Sequence, residues 1–256
     1  MGDPLTTTKS PQPSGPARER RSARLPWIVA AVAALVALAA VVVPRVSGDA
    51  AENSDQGVAT TEKQVNPDYG DLAAFERRTP QDPTALGEVD APVVMIAYSD
   101  FQCPYCGKFA RETEQTLIKK YVDTGVLRIE WRDFPYLGDE SVLAAHAARA
   151  AAAQDKFWEY HDAIYAKQSP PNSGQITKDH LIGLADKLGL DVDKFTADLG
   201  SPLSDKLVRH DFDEALSIGL SGTPSFLING TPIIGAMPLA DFEASIERAQ
   251  QAAEAG

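Results

Sequence analysis

Cys103 and Cys106 are the only cysteines among 256 residues, and they stand as Cys103-Pro104-Tyr105-Cys106. Two sulfurs at this spacing pair with each other, bind a metal, or stay free. As a structural staple the pair would do almost nothing, because so short a loop removes little entropy from the unfolded chain. As a zinc centre it lacks partners. Structural zinc takes four ligands, and His146, His161, His180 and His210 all stand apart from the motif in sequence. No metal is expected there, and the histidines read as ordinary surface or core residues. The remaining chemistry is thiol–disulfide exchange, in which the thiolate is the reactive species. A metal-delivery module that chelates through the same two cysteines is the alternative from another functional class.

The elements around the motif must position those sulfurs. The apolar run Pro92–Tyr98 predicts a buried strand just before it. Phe109, Thr113, Leu117 and Tyr121 recur at helical spacing after it, predicting a helix over Gly107–Tyr121. If Cys103 caps that helix, unpaired backbone N–H groups and the positive end of the helix dipole face its sulfur and lower its pKa. Pro104 suits the first helical position, where its missing N–H costs nothing. Cys106 falls one turn deeper on the same face, within reach of Cys103. The pair is therefore expected to be asymmetric, with Cys103 exposed and activated and Cys106 less accessible. Val126–Arg132 alternates apolar and polar residues, a second strand. Strand, helix and strand make a parallel pair with a right-handed crossover.

A helical block follows, expected as Glu140–Ala153 capped by Asp139, then Gln154–Lys167, Thr177–Leu188, Asp191–Leu199 and Pro202–Ile218. The Ala-rich Val142–Ala153 is too short for a membrane span and carries His146 and Arg149, so it reads as a helix packed within the domain. Ser225–Ile228 and Thr231–Ile234 flank Asn229-Gly230, a hairpin signal because both turn positions need positive φ. An amphipathic helix over Leu239–Ala253 closes the chain. Gly222-Thr223-Pro224-Ser225, directly before the hairpin, is the second feature that attracts attention.

Charge divides the chain. Lys9, Arg18, Arg20, Arg21 and Arg24 stand against Asp3 and Glu19 in residues 1–25, a net of +3, which leaves −15 on the remainder of a chain whose total is −12. So acidic a body argues against nucleic-acid binding. Trp27–Val43 holds no charged or polar side chain, and as a helix its 17 residues would span roughly 25 Å. Basic residues precede it, which places the tail in the cytoplasm and the body outside. The expected organisation is a basic cytoplasmic tail (1–25), a single transmembrane anchor (26–44), an extracytoplasmic linker (45–78) ending in a short helical or extended lead-in, Leu72–Arg78, and a catalytic domain (79–256). Within that domain the helical insertion covers about 139–219.

Three motifs then occur in order: Ser99-Asp100-Phe101-Gln102-Cys103-Pro104-Tyr105-Cys106, Arg132-Asp133-Phe134-Pro135, and Gly222-Thr223-Pro224-Ser225-Phe226. Together they resemble the DsbA-like thiol–disulfide oxidoreductases of the thioredoxin superfamily, over roughly 79–253. The resemblance implies an α/β thioredoxin fold, a central mixed sheet flanked by helices with a helical insertion between its halves. It implies a cis proline, Pro224, facing the redox pair. Cys103 would be the attacking sulfur, Cys106 the resolving one, Pro104 and Tyr105 the active-site dipeptide, and Thr223 and Pro224 the substrate-binding wall. No cofactor beyond the redox-active disulfide is implied.

Two departures from the family pattern stand out. Tyr105 replaces a histidine of the well-known oxidase member, which shifts the expectation from a strong oxidant to an oxidoreductase whose direction is unread. Ala97 occupies the place of a buried acid, six residues before the first cysteine, leaving Glu130 and Asp100 as the nearest substitutes. The function expected is exchange of disulfides with exported cysteine-containing proteins, as an oxidase. The implied partner is a membrane quinone-linked oxidase of the DsbB or vitamin K epoxide reductase type. The enzymatic alternative is an extracytoplasmic reductase, for example for haem-attachment cysteines.

Overall fold

Seven consecutive buried residues, Val93–Ser99, run through the centre of a five-stranded sheet. The computed structural model describes residues 71–255, all within one compact unit, 61–256. The expected tail, anchor and most of the linker lie outside the described residues. Among the described residues no helix is long and apolar enough to cross a membrane.

In chain order the elements are β1 (Ala85–Leu86), β2 (Val93–Ser99), α1 (Pro104–Phe109), α2 (Gln115–Leu117), β3 (Leu127–Asp133), α3 (Asp139–Ala152), α4 (Phe157–Ala166), α5 (Lys178–Lys187), α6 (Val192–Asp198), α7 (Pro202–Ser217), β4 (Ser225–Ile228), β5 (Thr231–Ile234) and α8 (Leu239–Ala255). The strand order is β1-β3-β2-β4-β5. β2 pairs with β3 in parallel, and the other neighbours are antiparallel. The expected mixed sheet is present, and α3 to α7 form the helical insertion between β3 and β4. The two-residue edge strand β1 has no counterpart in the sequence reading; it is too short to show a period.

Alternation along β2 feeds two cores. Val93, Met95 and Ala97 pack with Phe109, Leu117, Phe226, Phe242 and Ile246 from the helices and β4. Val94, Ile96 and Tyr98 pack on the other face with Leu72, Phe134, Ala215 and Ile218. The insertion has its own core, in which both faces of Ala-rich α3 are buried, and that core includes Phe101, Cys103, Cys106 and Trp131. The two cysteines thus sit where insertion and sheet meet.

Two local expectations are corrected. The helix after the motif is a composite in which wider π turns, Ala110–Glu114 and Ile118–Val122, surround α2. Its inward residues repeat every four positions (Phe109, Thr113, Leu117, Tyr121), and an α-helix of about 3.6 residues per turn would rotate that row off the sheet. The wider turns keep it facing inward. Asp139 is the first residue of α3; the cap position belongs to Gly138 at φ 107°. Ahead of the sheet, Leu72–Phe75 form a short 3₁₀ helix capped by Asp71, and Leu72 is buried against the sheet. The expected lead-in, Leu72–Arg78, is thus helical over its first four residues.

β3 carries its charged residues inward. The expected strand is present, and all seven of its residues are buried, the polar ones included. Glu130 pairs with Arg128 at 3.1 Å and Arg132 at 2.9 Å, and Arg132 reaches Glu214 on α7 at 3.0 Å. Arg149 of α3 binds Asp133 and Asp211, and Arg77 binds Asp211 and Glu214. Every charge on the polar face of β3 thus has a partner, which is the condition for burying it. This network holds α7 and the lead-in segment against the sheet.

Candidate active site

β2 ends at Ser99, and the chain turns sharply into α1. Cys103 N–H donates to the Asp100 carbonyl at 3.0 Å, and Gly107 N–H donates to the Cys103 carbonyl at 3.1 Å. The buried Asp100 carboxylate accepts N–H bonds from Gln102 at 2.8 Å and Leu137 at 2.9 Å, tying this turn to the loop after β3. Cys103 occupies the cap of α1 in an extended conformation (φ −70°, ψ 119°), with Pro104 as the first helical residue. Cys106 follows one turn on. The two cysteines are unpaired.

Cys103 is 5% exposed and Cys106 2%. The expected contrast in accessibility is therefore small, because the loop before β4 lies over Cys103. The Thr223–Pro224 peptide is cis, and the Cys103 thiol donates to the Thr223 carbonyl at 3.2 Å. The Pro224 carbonyl accepts the Gly235 N–H at 2.8 Å, anchoring the loop to the chain beyond β5. Residues from opposite ends of the domain, 103–106 and 223–224, thus meet.

The contrast between the two sulfurs is electrostatic. A hydrogen bond from the Cys106 thiol lowers the Cys103 pKa to about 6, helped by the Thr223 side chain and the N–H groups of Cys106 and Tyr105, and opposed by burial. Burial pushes the Cys106 thiol well up, and its bond to Cys103 adds to this. One proton is thus easily lost and the other firmly held. Tyr105 points out, 66% exposed. Beside the cis loop lies a groove of about 340 Å³, with Gly222, Ser225, Leu227, Pro232 and Ile234 among its walls. A larger cavity, of about 430 Å³ between Arg77, Asp82, Arg149 and Leu203, includes none of these residues.

Neither substitute for an acid at Ala97 is free to move a proton. Burial pushes Glu130 up, but the Arg77 N–H, Arg132 and Arg128 outweigh it and hold the carboxyl below its usual range. Asp100 is pushed up by burial, and both its oxygens are committed to the backbone of its own turn and the adjacent loop. A different buried acid escaped the sequence reading. Glu114 lies eight residues beyond Cys106 on the same helix, and burial raises its pKa to about 7. Its Oε2 is 3.7 Å from His161 Nε2 of α4 and has no hydrogen-bond partner. His161, read as an ordinary residue, is buried among Trp131, Tyr165 and Trp158. One atom each of Glu114, His161 and Asp162 lie within 4.8 Å of one another. Nothing in the sequence pairs positions 114 and 161; only the packing of α4 does.

The motif is also held by amides from the insertion. Gln168 binds the carbonyls of Phe101 and Cys103, and Gln102 binds Ser141 and Asn172. Their only sequence signal is polarity inside or beside apolar segments.

The thioredoxin family model matches residues 79–248. A probable disulfide bond formation protein D from Bacillus cereus is 35% identical over 150 residues, covering 57% of this chain and 69% of that protein. Oxidised BdbD from Bacillus subtilis superposes with a TM-score of 0.62 at 23% identity, over 66% of this chain and 92% of that one. The α-DsbA1 protein of Wolbachia pipientis gives a TM-score of 0.60 at 23% identity, over 67% of this chain and 92% of that one. At such identities the two structures speak for the fold alone, a thioredoxin fold with its sheet and inserted helices.

Proposed function

This chain belongs to the thioredoxin family and is a thiol–disulfide oxidoreductase, and from that premise we propose that it oxidises exported proteins outside the cytoplasm, held there by the apolar segment 26–44. The observation that carries the direction is the Cys103 sulfur. Its pKa of about 6 stabilises the thiolate of the reduced pair. A stabilised reduced form makes the corresponding disulfide oxidising. The similarity to a disulfide bond formation protein supports the same direction.

Exchange proceeds in two displacements. A substrate thiolate attacks Cys103 Sγ of the Cys103–Cys106 disulfide; a new S–S bond forms, the old one breaks, and Cys106 leaves as a thiolate. The elevated pKa of Cys106 makes it take up a proton at once. A second substrate thiolate then attacks the substrate sulfur of the mixed disulfide, and Cys103 leaves as its stabilised thiolate. Two substrate thiols have become one disulfide, and two electrons rest on the reduced pair. Re-oxidation requires a partner that accepts those electrons, in this reading a membrane quinone-linked oxidase of the DsbB or vitamin K epoxide reductase type. The Thr223 backbone faces Cys103 and would pair with an extended substrate segment. The groove beside Gly222 would take one of that segment's apolar side chains.

Equilibration of the purified protein with glutathione tests the direction. A potential more oxidising than that of thioredoxin is expected, and one at or below that of thioredoxin would replace the oxidase by the reductase reading. Cys103→Ser should abolish oxidative refolding of a reduced substrate. Cys106→Ser should accumulate mixed disulfides through Cys103.

A further inference from the structure

Gln168 stands just past α4, and its side chain reaches back to the turn that carries Cys103. Its Nε2 donates to the Phe101 carbonyl at 2.8 Å and to the Cys103 carbonyl at 2.9 Å. A primary amide offers two N–H groups, one for each carbonyl. The Cys103 carbonyl also accepts the Gly107 N–H, so both its lone pairs are engaged. The amide therefore spans the residues on which the direction of the Cys103 side chain depends. On its other side the Gln168 Oε1 lies close over Gly107, where a Cβ would come within 2.3 Å of it. Gly107 has no positive φ, so its small size serves the approach of the amide, and of Arg111 Nη1 at 2.7 Å from the same Cβ position, and not a turn. Gln102 makes a second tie to the insertion, giving a bond to Ser141 at 2.8 Å and accepting one from the Asn172 N–H at 2.6 Å.

We propose that Gln168 is a positioning residue for thiol exchange, clamping the Cys103 turn so that the sulfur stays aimed at the N–H groups of α1. The inference rests on the thiol–disulfide reading of Cys103. Without the clamp the turn relaxes away from the helix terminus, and the thiolate loses donors that depend on distance and angle. A carboxylate at 168 would face two carbonyl oxygens and repel the thiolate as well. The geometry thus makes the insertion a support for the reactive sulfur.

The test compares reduced wild type with Gln168→Met, which keeps the length and loses the donors, Gln168→Glu, and Gly107→Ala, which displaces the amide without altering Gln168. Arg111→Met is the control for the guanidinium that the same methyl meets. Alkylation by iodoacetamide is followed against pH, with the glutathione equilibrium and Tm measured on the same samples. The midpoint of the Cys103 profile is expected to rise by about half a unit to one unit in Gln168→Met and Gly107→Ala, and further in Gln168→Glu. The reduced fraction at a fixed glutathione ratio should fall in parallel. Folded variants of Gln168 and Gly107 that keep the wild-type midpoint and equilibrium overturn the proposal, even with a lowered Tm, since a purely structural hydrogen bond would do just that. Should the Glu variant not fold, Gln168→Met and Gly107→Ala decide. A wild-type midpoint in the ordinary cysteine range would instead overturn the oxidase reading, so the two failures are distinguishable.

Discussion

At the scale of single residues, proton affinity separates the site's members. The Cys103 thiol sits low because Cys106, Thr223 and two backbone N–H groups favour its anion, and its pKa is about 6. Alkylation of the reduced protein should therefore rise through a midpoint near pH 6, with Cys106 unreactive across the neutral range. A midpoint near the ordinary cysteine value of about 8.5 would show that these donors do not reach the sulfur in solution. Glu114 moves the opposite way, to about 7, by burial. The folded protein keeps the Glu114 proton at pH values where the unfolded chain has lost it. Stability should thus fall as pH rises from the usual glutamate range to about 7, since the native state binds more protons there. Glu114→Gln should flatten this dependence and stabilise the protein by on the order of 1–3 kcal/mol above pH 7. Urea titrations at pH 5 and pH 8 read the difference, and an equal effect at both would rule out the buried charge as its source.

Elements matter here through what they bring together. The composite helix of α1 and α2 keeps a four-residue row on the sheet, while its first turn presents Cys103 to the cis loop before β4. β3 carries the polar face that fastens α7 and the lead-in segment. Arg132 and Glu130 are both fully buried, and Arg132 also serves Glu214. Arg132→Met leaves two carboxylates short of a partner, at a cost of about 3–5 kcal/mol measured by urea denaturation. Removing both charges with Glu130→Met and Arg132→Met together should recover part of that loss, because the uncompensated charge carries most of it. By contrast, the surface pair Lys194–Asp198 on α6 should contribute under about 1 kcal/mol.

For the whole molecule, residues 71–255 supply every group of the candidate site, and the proposed anchor contributes only location. The full chain is expected in the membrane fraction after an alkaline wash, and removal of 1–44 should release it with its exchange rate unchanged. A full chain found in the soluble fraction would sink the anchor. Much of this organisation was legible in the sequence. The strand before the motif, Pro104 at the head of the helix, the Asn229-Gly230 hairpin with both φ positive and the block of helices all follow from local rules of period, capping and turn chemistry. Those rules act over a few residues, so one chain displays them. Burial and long-range pairing act between residues far apart in sequence, and no local pattern reports them. Tertiary structure alone therefore decided that the polar residues of β3 are buried as ion pairs, that Glu114 meets His161, and that Gln168 grips the turn of Cys103. It also covered Cys103 beneath Thr223, so the two sulfurs differ less in exposure than in how firmly each holds its proton.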